Sequence, residues 1–463
     1  MERIPATLVG LWVGGGVLIS TLLIQLVVLG ILLPDWGDGN GLIPGQDVVG
    51  FHSVAVEQAQ AIAHHGWSAW EQRPNGWGIS GLMSAWYAIT LSEPWVLVPW
   101  QALMFGISAG LLASMLGSLS HHRGVTLLGT LPMLLLPSAA MVYAQPHRDI
   151  VVMFGLMLAI YGWGWLAKAQ QVEWRRALGY SAGAVVLVGS GFVSAWMVRD
   201  FSAEIFQGLG AILALLLVCL AAVRLTRERR IRLGLILSPL LAVVMLLGMI
   251  TFHAGNRFDR ELAESSSQDI AVHEQTETET ETESVWYAST WLPSMADDKL
   301  RRLSGAREHF LRGYSHGRSL VDEHVHYRSV GDMLAYTPRA LQIGLLSPFP
   351  YQWVPHPEAP AVRNAYRVLA GMEMFLLYLI LPFLGYAIWR WWRRDTLWLL
   401  LMPALAWVMV YSYTVPVVGA LVRYRFPGYI ILVALAVAGL CQAIRDGWAR
   451  RAGISVAPSS KEN

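Results

Sequence analysis

Charge is scarce in this sequence. Asp, Glu, Lys and Arg together make up 14% of its 463 residues, against roughly 25% in an average soluble domain. A disordered chain carries more charge rather than less, so the composition excludes both an ordinary soluble fold and a disordered one. What charge there is nearly cancels, with 34 Lys and Arg against 32 Asp and Glu (34 − 32 = +2), and no basic tract concentrates it. Nucleic acid is thereby excluded as a partner, because phosphate backbones need a concentrated basic face. Cysteine is scarcer still: Cys219 and Cys441 are the two in the chain. Each lies in an apolar run, which excludes a disulfide framework and a thiolate metal site. An internal repeat is also missing, which weakens a reading as an inverted-repeat transporter.

What the sequence has instead is long apolar runs. A bilayer core of about 30 Å is crossed by about 20 apolar residues in a helix. Ten windows meet this, at 7–33, 95–119, 124–143, 150–167, 179–198, 204–223, 233–252, 367–389, 396–414 and 426–444. The predicted fold is therefore an all-α polytopic membrane protein. Its orientation follows from the basic residues, which short cytoplasmic loops collect. One set of loops holds Arg123; Lys168, Arg175 and Arg176; Arg224, Arg227, Arg229, Arg230 and Arg232; Arg390, Arg393 and Arg394; and, in the tail, Arg445, Arg450 and Arg451. These alternate without exception with loops 34–94, 144–149, 199–203, 253–366 and 415–425. Both termini are expected in the cytoplasm, and the first span, too long for the core of a cleaved signal peptide, reads as a retained anchor.

The external loops divide by composition. Asp35, Gly37, Asp38, Gly39, Asn40, Gly41 and Pro44 form a loop. After it, Val48, Phe51, Ala55, Ala59 and Ile62 recur at helical spacing, which predicts an amphipathic helix lying on the membrane. The apolar stretch 76–90 is too short to cross and, with Trp67, Trp70, Trp77, Trp86 and Tyr87 at headgroup level, predicts an interfacial or re-entrant helix. Residues 259–284 include the TETETETE tract at Thr276–Glu283 and read as a mobile acidic linker. Residues 285–366 mix aromatic, apolar and charged side chains and are expected to fold against the membrane surface. The chain thus divides into a membrane module at 1–252, an external segment at 253–366, and a second membrane module with its tail at 367–463.

Ionisable residues in or beside spans are costly and mark functional candidates. Glu373 lies inside the eighth span, and Arg423 and Arg425 immediately precede the tenth. They read either as a structural ion pair or as a clamp for a phosphate, whose oxygens suit the planar guanidinium. The turn QPHRD at 145–149 sets His147, Arg148 and Asp149 at one depth, with Asp149 able to cap the fourth span. Asp47, directly before its amphipathic helix, reads as an N-cap by itself. Asp47, Arg148, Asp149, Arg423 and Arg425 come from different external turns, and one outer-leaflet cavity could collect them.

A first span, a long external loop that opens with an acid and amphipathic helices, and then many spans resemble the GT-C superfamily of integral-membrane glycosyltransferases. DVVGFHSVAVEQAQAIAHHG with the later HRD looks like its oligosaccharyl- and mannosyl-transferase-like branch. SGAREHFLRGYSHGRSLVDEHVHYRSVGDMLAYTPRALQIGLLSPFP with RYRFP is similar to bacterial envelope-polysaccharide proteins of that superfamily. The resemblance implies a protein of the bacterial inner membrane that transfers a sugar, with inversion, from a polyprenyl-phosphate carrier to a glycan or lipid acceptor at the outer face. By position Asp47 would be the base, Asp149 a second carboxylate that orients acceptor or metal, and Arg423 and Arg425 the phosphate partners. Arg148, Glu373, His52 and His147 are further binding candidates. Where many members carry paired acids on the first loop, this chain has Val48, and its next acid is Glu57. That departure weakens the case for a divalent metal, and no cofactor is assigned. Two alternatives remain: a polymerase of lipid-linked repeats, whose chief polar signal would be external arginines, and a non-enzymatic transporter or assembly subunit, which would place polar groups at mid-membrane.

Overall fold

A helix that is apolar all round is stable only among other helices or in lipid, where its own backbone hydrogen bonds satisfy every peptide group. A computed structural model describes residues 4–43, 47–228, 232–268, 286–313, 319–359 and 361–451. Nine helical segments among the described residues are long and apolar enough to cross a bilayer, and one bent pair makes a tenth. The chain is an all-α multi-pass membrane protein. In chain order, α1 (Ala6–Leu22) is followed by a π-helical continuation at Leu23–Leu32, then α2 (Asp47–His65), α3 (Gly78–Ile89) and α4 (Val98–Leu119). The bent span comprises α5 (Arg123–Thr130), α6 (Pro132–Leu135) and α7 (Pro137–Tyr143), and α8 (Arg148–Ala169), α9 (Trp174–Val198), α10 (Asp200–Glu228) and α11 (Leu233–Gln268) come next. After them are α12 (Ser294–Gly313), α13 (Val330–Leu346), α14 (Ala361–Ile380), α15 (Pro382–Trp391), α16 (Asp395–Thr414) and α17 (Val418–Arg451).

Burial separates core spans from peripheral ones. The most apolar windows of α8 and of α17 are 78% and 72% buried, whereas those of the first span and of α14–α15 are 22% buried. The outer spans turn Leu11, Trp12, Phe375 and Leu376 outward; in a soluble protein these would be an aggregation hazard, but in a bilayer they meet lipid. Packing between α1 and α4 uses glycines at four-residue spacing. A Cβ on Gly106 would come 2.7 Å from the Gly10 carbonyl and one on Gly10 2.8 Å from the Gly106 carbonyl, the close approach that small residues permit between membrane helices.

The two short loop helices, α2 and α3, pack on each other. Ser80 Oγ donates to Phe51 O at 3.0 Å, and the Trp77 ring sits where a Cβ on Gly50 would meet it. At the same end of the bundle α12 and α13 pack against α16, with Tyr413 Oη donating to Met333 O at 3.2 Å.

Three sequence expectations need correction. The linker expected from 259 is helical as far as Gln268, because α11 carries its backbone ladder on past the end of the apolar run; the TETETETE tract at Thr276–Glu283 lies outside the described residues. The tenth span starts not at 426 but at Val418, so Arg423 and Arg425 are inside α17 rather than before it. Charge reads as loop in one dimension, but here Arg423 pairs with carboxylates, Arg425 donates to carbonyls, and the helix runs through. The third span is bent by 61° at Leu136, where Pro137 can neither donate a hydrogen bond nor let its predecessor stay helical.

Candidate functional site

The turn between α7 and α8 is fixed by buried amides. Gln25, in the π-helical continuation, donates from Nε2 to Ala144 O at 2.8 Å, and Thr21 Oγ1 donates to Tyr143 O at 3.3 Å, which satisfies carbonyls that the end of α7 leaves open. Gln101 Nε2 donates to Gln145 O at 3.0 Å. Gln145 itself reaches the loop before α2, accepting from Ile43 N at 3.1 Å and donating to Gly41 O at 3.2 Å. Gly41 has φ +79°, and a Cβ there would lie 3.0 Å from Gln25 O. One glutamine therefore ties the loop that leads to Asp47 to the turn that leads to Arg148.

Five charged side chains from four segments meet beyond this turn. Arg423 Nη2 donates to Asp47 Oδ2 at 2.6 Å and to Tyr424 Oη at 3.1 Å, while its Nε stands 3.4 Å from Asp149 Oδ2. Arg199, from the connection between α9 and α10, places Nη2 3.3 Å from Asp149 Oδ1 and donates from Nη1 to Tyr411 Oη at 3.3 Å. Arg148 Nη2 donates to Tyr424 Oη at 3.5 Å, and its guanidinium lies 5.5 Å from the Phe51 ring. Phe310 of α12 closes over Tyr424.

The balance of this group is three guanidinium groups, Arg148, Arg199 and Arg423, against two carboxylates, Asp47 and Asp149 (3 − 2 = +1). Asp149 is 1% exposed and the side chain of Asp47 44%, with Arg423 between them at 19%, so the Asp149 carboxylate is sealed and that of Asp47 is open to solvent. Burial by itself raises the Asp47 carboxyl, but the Arg423 charge and hydrogen bond outweigh it and leave the group below its ordinary value. His147 is buried, and that burial, with the Arg423 charge, depresses its imidazole to about 3. It is neutral at physiological pH.

Of the expected residues, Asp47, Arg148, Asp149 and Arg423 are brought together, with His147 at the N-terminus of α8 beside them. Arg425, Glu373 and His52 are not in the cluster. Arg425 donates to Ile343 O at 3.0 Å, Gly344 O at 2.6 Å and Ser347 Oγ at 3.1 Å, so it caps the C-terminus of α13. Glu373 pairs with neither arginine by hydrogen bond; it accepts from Ser138 N at 2.7 Å and Ser138 Oγ at 2.5 Å, which satisfies the N-terminus of α7 at the bend. His52 Nδ1 shares a 3.0 Å hydrogen bond with Tyr87 Oη between α2 and α3. Arg199 and the tyrosines were missed. The available signal was a basic residue in a turn on the side where basic residues are rare.

A cavity of about 150 Å³ borders the first turns of α17 at Val422, Arg425, Phe426 and Tyr429. Ile24, Met141, Leu369 and Phe426 make its wall mainly apolar, Glu373 and Arg425 line it with Ser138, and Gln145 and Val422 bring it beside the charged cluster, none of whose five charged residues lines it. Among the described residues no three His, Cys, Asp or Glu side chains gather as a metal ion needs. Comparison with family models, with curated proteins and with solved structures finds no match for this chain.

Proposed function

We propose that the chain is a GT-C-type membrane glycosyltransferase that moves a sugar, with inversion, from a polyprenyl-phosphate carrier to a glycan or lipid acceptor. The site would face outward from the bacterial cytoplasmic membrane, with both termini inside, in the synthesis of envelope polysaccharide or glycolipid. The observation that carries this reading is an excess guanidinium charge beside an open carboxylate and an apolar cavity among membrane helices. A lipid phosphate needs cations and a greasy groove together, and neither a soluble anion nor a neutral lipid needs both.

In this reading Asp47 takes the acceptor hydroxyl proton, the freed oxygen pair forms the new bond to the anomeric carbon, and the old carbon–oxygen bond breaks. Its electron pair leaves on the carrier phosphate, whose charge Arg148 and Arg423 stabilise. The test is Asp47→Asn, which keeps the shape and cannot take the proton. It is expected to insert, to bind polyprenyl phosphate at least as well as wild type, and to transfer sugar at least about a hundredfold more slowly. Near-normal transfer by Asp47→Asn would remove Asp47 as the base.

The third arginine favours a second reading. A polymerase of lipid-linked repeat units relies on several arginines at this face, and Arg199 adds one to those visible in the sequence. The products separate the two: a transferase adds one sugar unit per acceptor, and a polymerase yields a ladder.

A further inference from the structure

Two carboxylates compete for Arg423. Its Nη2 is hydrogen-bonded to Asp47 and its Nε faces Asp149. Asp149, sealed at 1% exposure, has no hydrogen bond to its carboxylate among the described residues and is balanced by charge alone, by Arg199 on one oxygen and Arg423 on the other. A buried carboxylate that lost one of these cations would draw the other in, because unpaired charge is tolerated least where water is absent. Arg199 itself is walled in. Its side chain is 9% exposed, it lies 4.3 Å from the Tyr424 ring and it donates to Tyr411, so it has no open face for a ligand. In the Arg423–Asp47 pair, by contrast, Asp47 is 44% exposed and Arg423 19%, so this pair is reached by solvent and exchanges at lower cost than a sealed one.

From this we infer that Arg199 is a positioning residue: by neutralising Asp149 it leaves Arg423 free to exchange Asp47 for an incoming phosphate. The inference rests on the phosphate reading above and adds the residue that keeps the phosphate partner available. It also makes the site self-gating. While Arg423 holds Asp47, the carboxylate is masked, and arrival of a phosphate unmasks it.

The experiment titrates purified full-length protein in nanodiscs with a polyprenyl phosphate and, separately, with inorganic phosphate. Arg199→Gln is expected to weaken both by about tenfold, a coupling typical of residues in one charge network. Arg199→Lys, which keeps the charge, is expected to stay near wild type. Asp149→Asn is expected to bind more tightly than wild type, since it releases Arg423 from one competitor, and Arg199→Gln with Asp149→Asn is expected to recover wild-type affinity. A merely structural Arg199 would not be rescued by removing the charge it balances. Should Arg199→Gln fail to fold, Asp149→Asn and the uncharged double variant still decide the matter. Undiminished affinity in Arg199→Gln, weaker binding by Asp149→Asn, no recovery in the double variant, or an effect on polyprenyl phosphate alone would each overturn the inference and leave the phosphate reading standing. No binding of polyprenyl phosphate by wild type would overturn both.

Discussion

On the proposed function, Asp47 faces opposite demands in the free and the loaded site. With Arg423 on it, the carboxyl is held below its ordinary 3.8, so it is ionised but a weak base. Drawing Arg423 onto a phosphate returns basicity to it. Since kcat/KM reports the free enzyme and kcat the loaded one, the acid limb of kcat/KM is expected below pH 3.8 and that of kcat at higher pH; coincident limbs would show that Arg423 does not move. The same shift bears on stability: a carboxylate depressed on folding stabilises above its unfolded value, and that contribution is lost as pH falls through the lower folded value. His147 gives a second window. It stays neutral in the fold down to about 3, while the unfolded chain takes up a proton near 6.5, so stability is expected to fall as pH drops from 6.5 toward 3. The slope for one such group is at most about 1.4 kcal/mol per pH unit. Denaturation curves of His147→Gln are expected to show a shallower slope, and an unchanged one would mean that the imidazole is not buried neutral.

At the scale of elements, the spans were legible because a bilayer imposes one length on every apolar run, and the periodicity after Asp47 showed α2. What the sequence hid was pairing. Asp47 and Arg423 are 376 residues apart, and nothing in either neighbourhood names the other. Glu373 is a case in point. An acid inside a span suggests a partner in Arg423 or Arg425; Arg425 lines the same cavity and acts on Glu373 by charge, but the carboxylate's hydrogen bonds come from Ser138, one residue after the proline that breaks the third span. The break is what needs an acceptor, because the first N–H groups of α7 have none in their own helix. Glu373→Ala is expected to destabilise the protein by about 1–3 kcal/mol, the cost of leaving a buried donor unmet, with Glu373→Gln restoring most of it through its amide oxygen. Phosphate affinity of the folded protein is expected to be unaffected. If unfolding curves of Glu373→Ala match wild type while phosphate binding falls, Glu373 belongs to the ligand site after all.

At the scale of the whole molecule, the cluster, α2, α3, α12 and α13 lie at one end of the bundle, and the function turns on which compartment that end faces. The alternation of basic loops argues for the outside, and on the proposed function that is where a carrier lipid would meet its acceptor. Were it inside, soluble activated sugars would be the available donors. The question is answerable with single cysteines, after Cys219 and Cys441 are replaced by alanine. Asn40 and Thr226 are both exposed; Asn40 lies in the loop before α2, and Thr226 lies near the far end of α10, across the membrane from Asp200. Asn40→Cys is expected to react with an impermeant maleimide in intact cells, and Thr226→Cys only after permeabilisation. The reverse pattern would turn the arginine cluster toward the cytoplasm. In that case the charge and cavity arguments for a phosphate would survive, but the carrier-lipid donor at the outer leaflet would not.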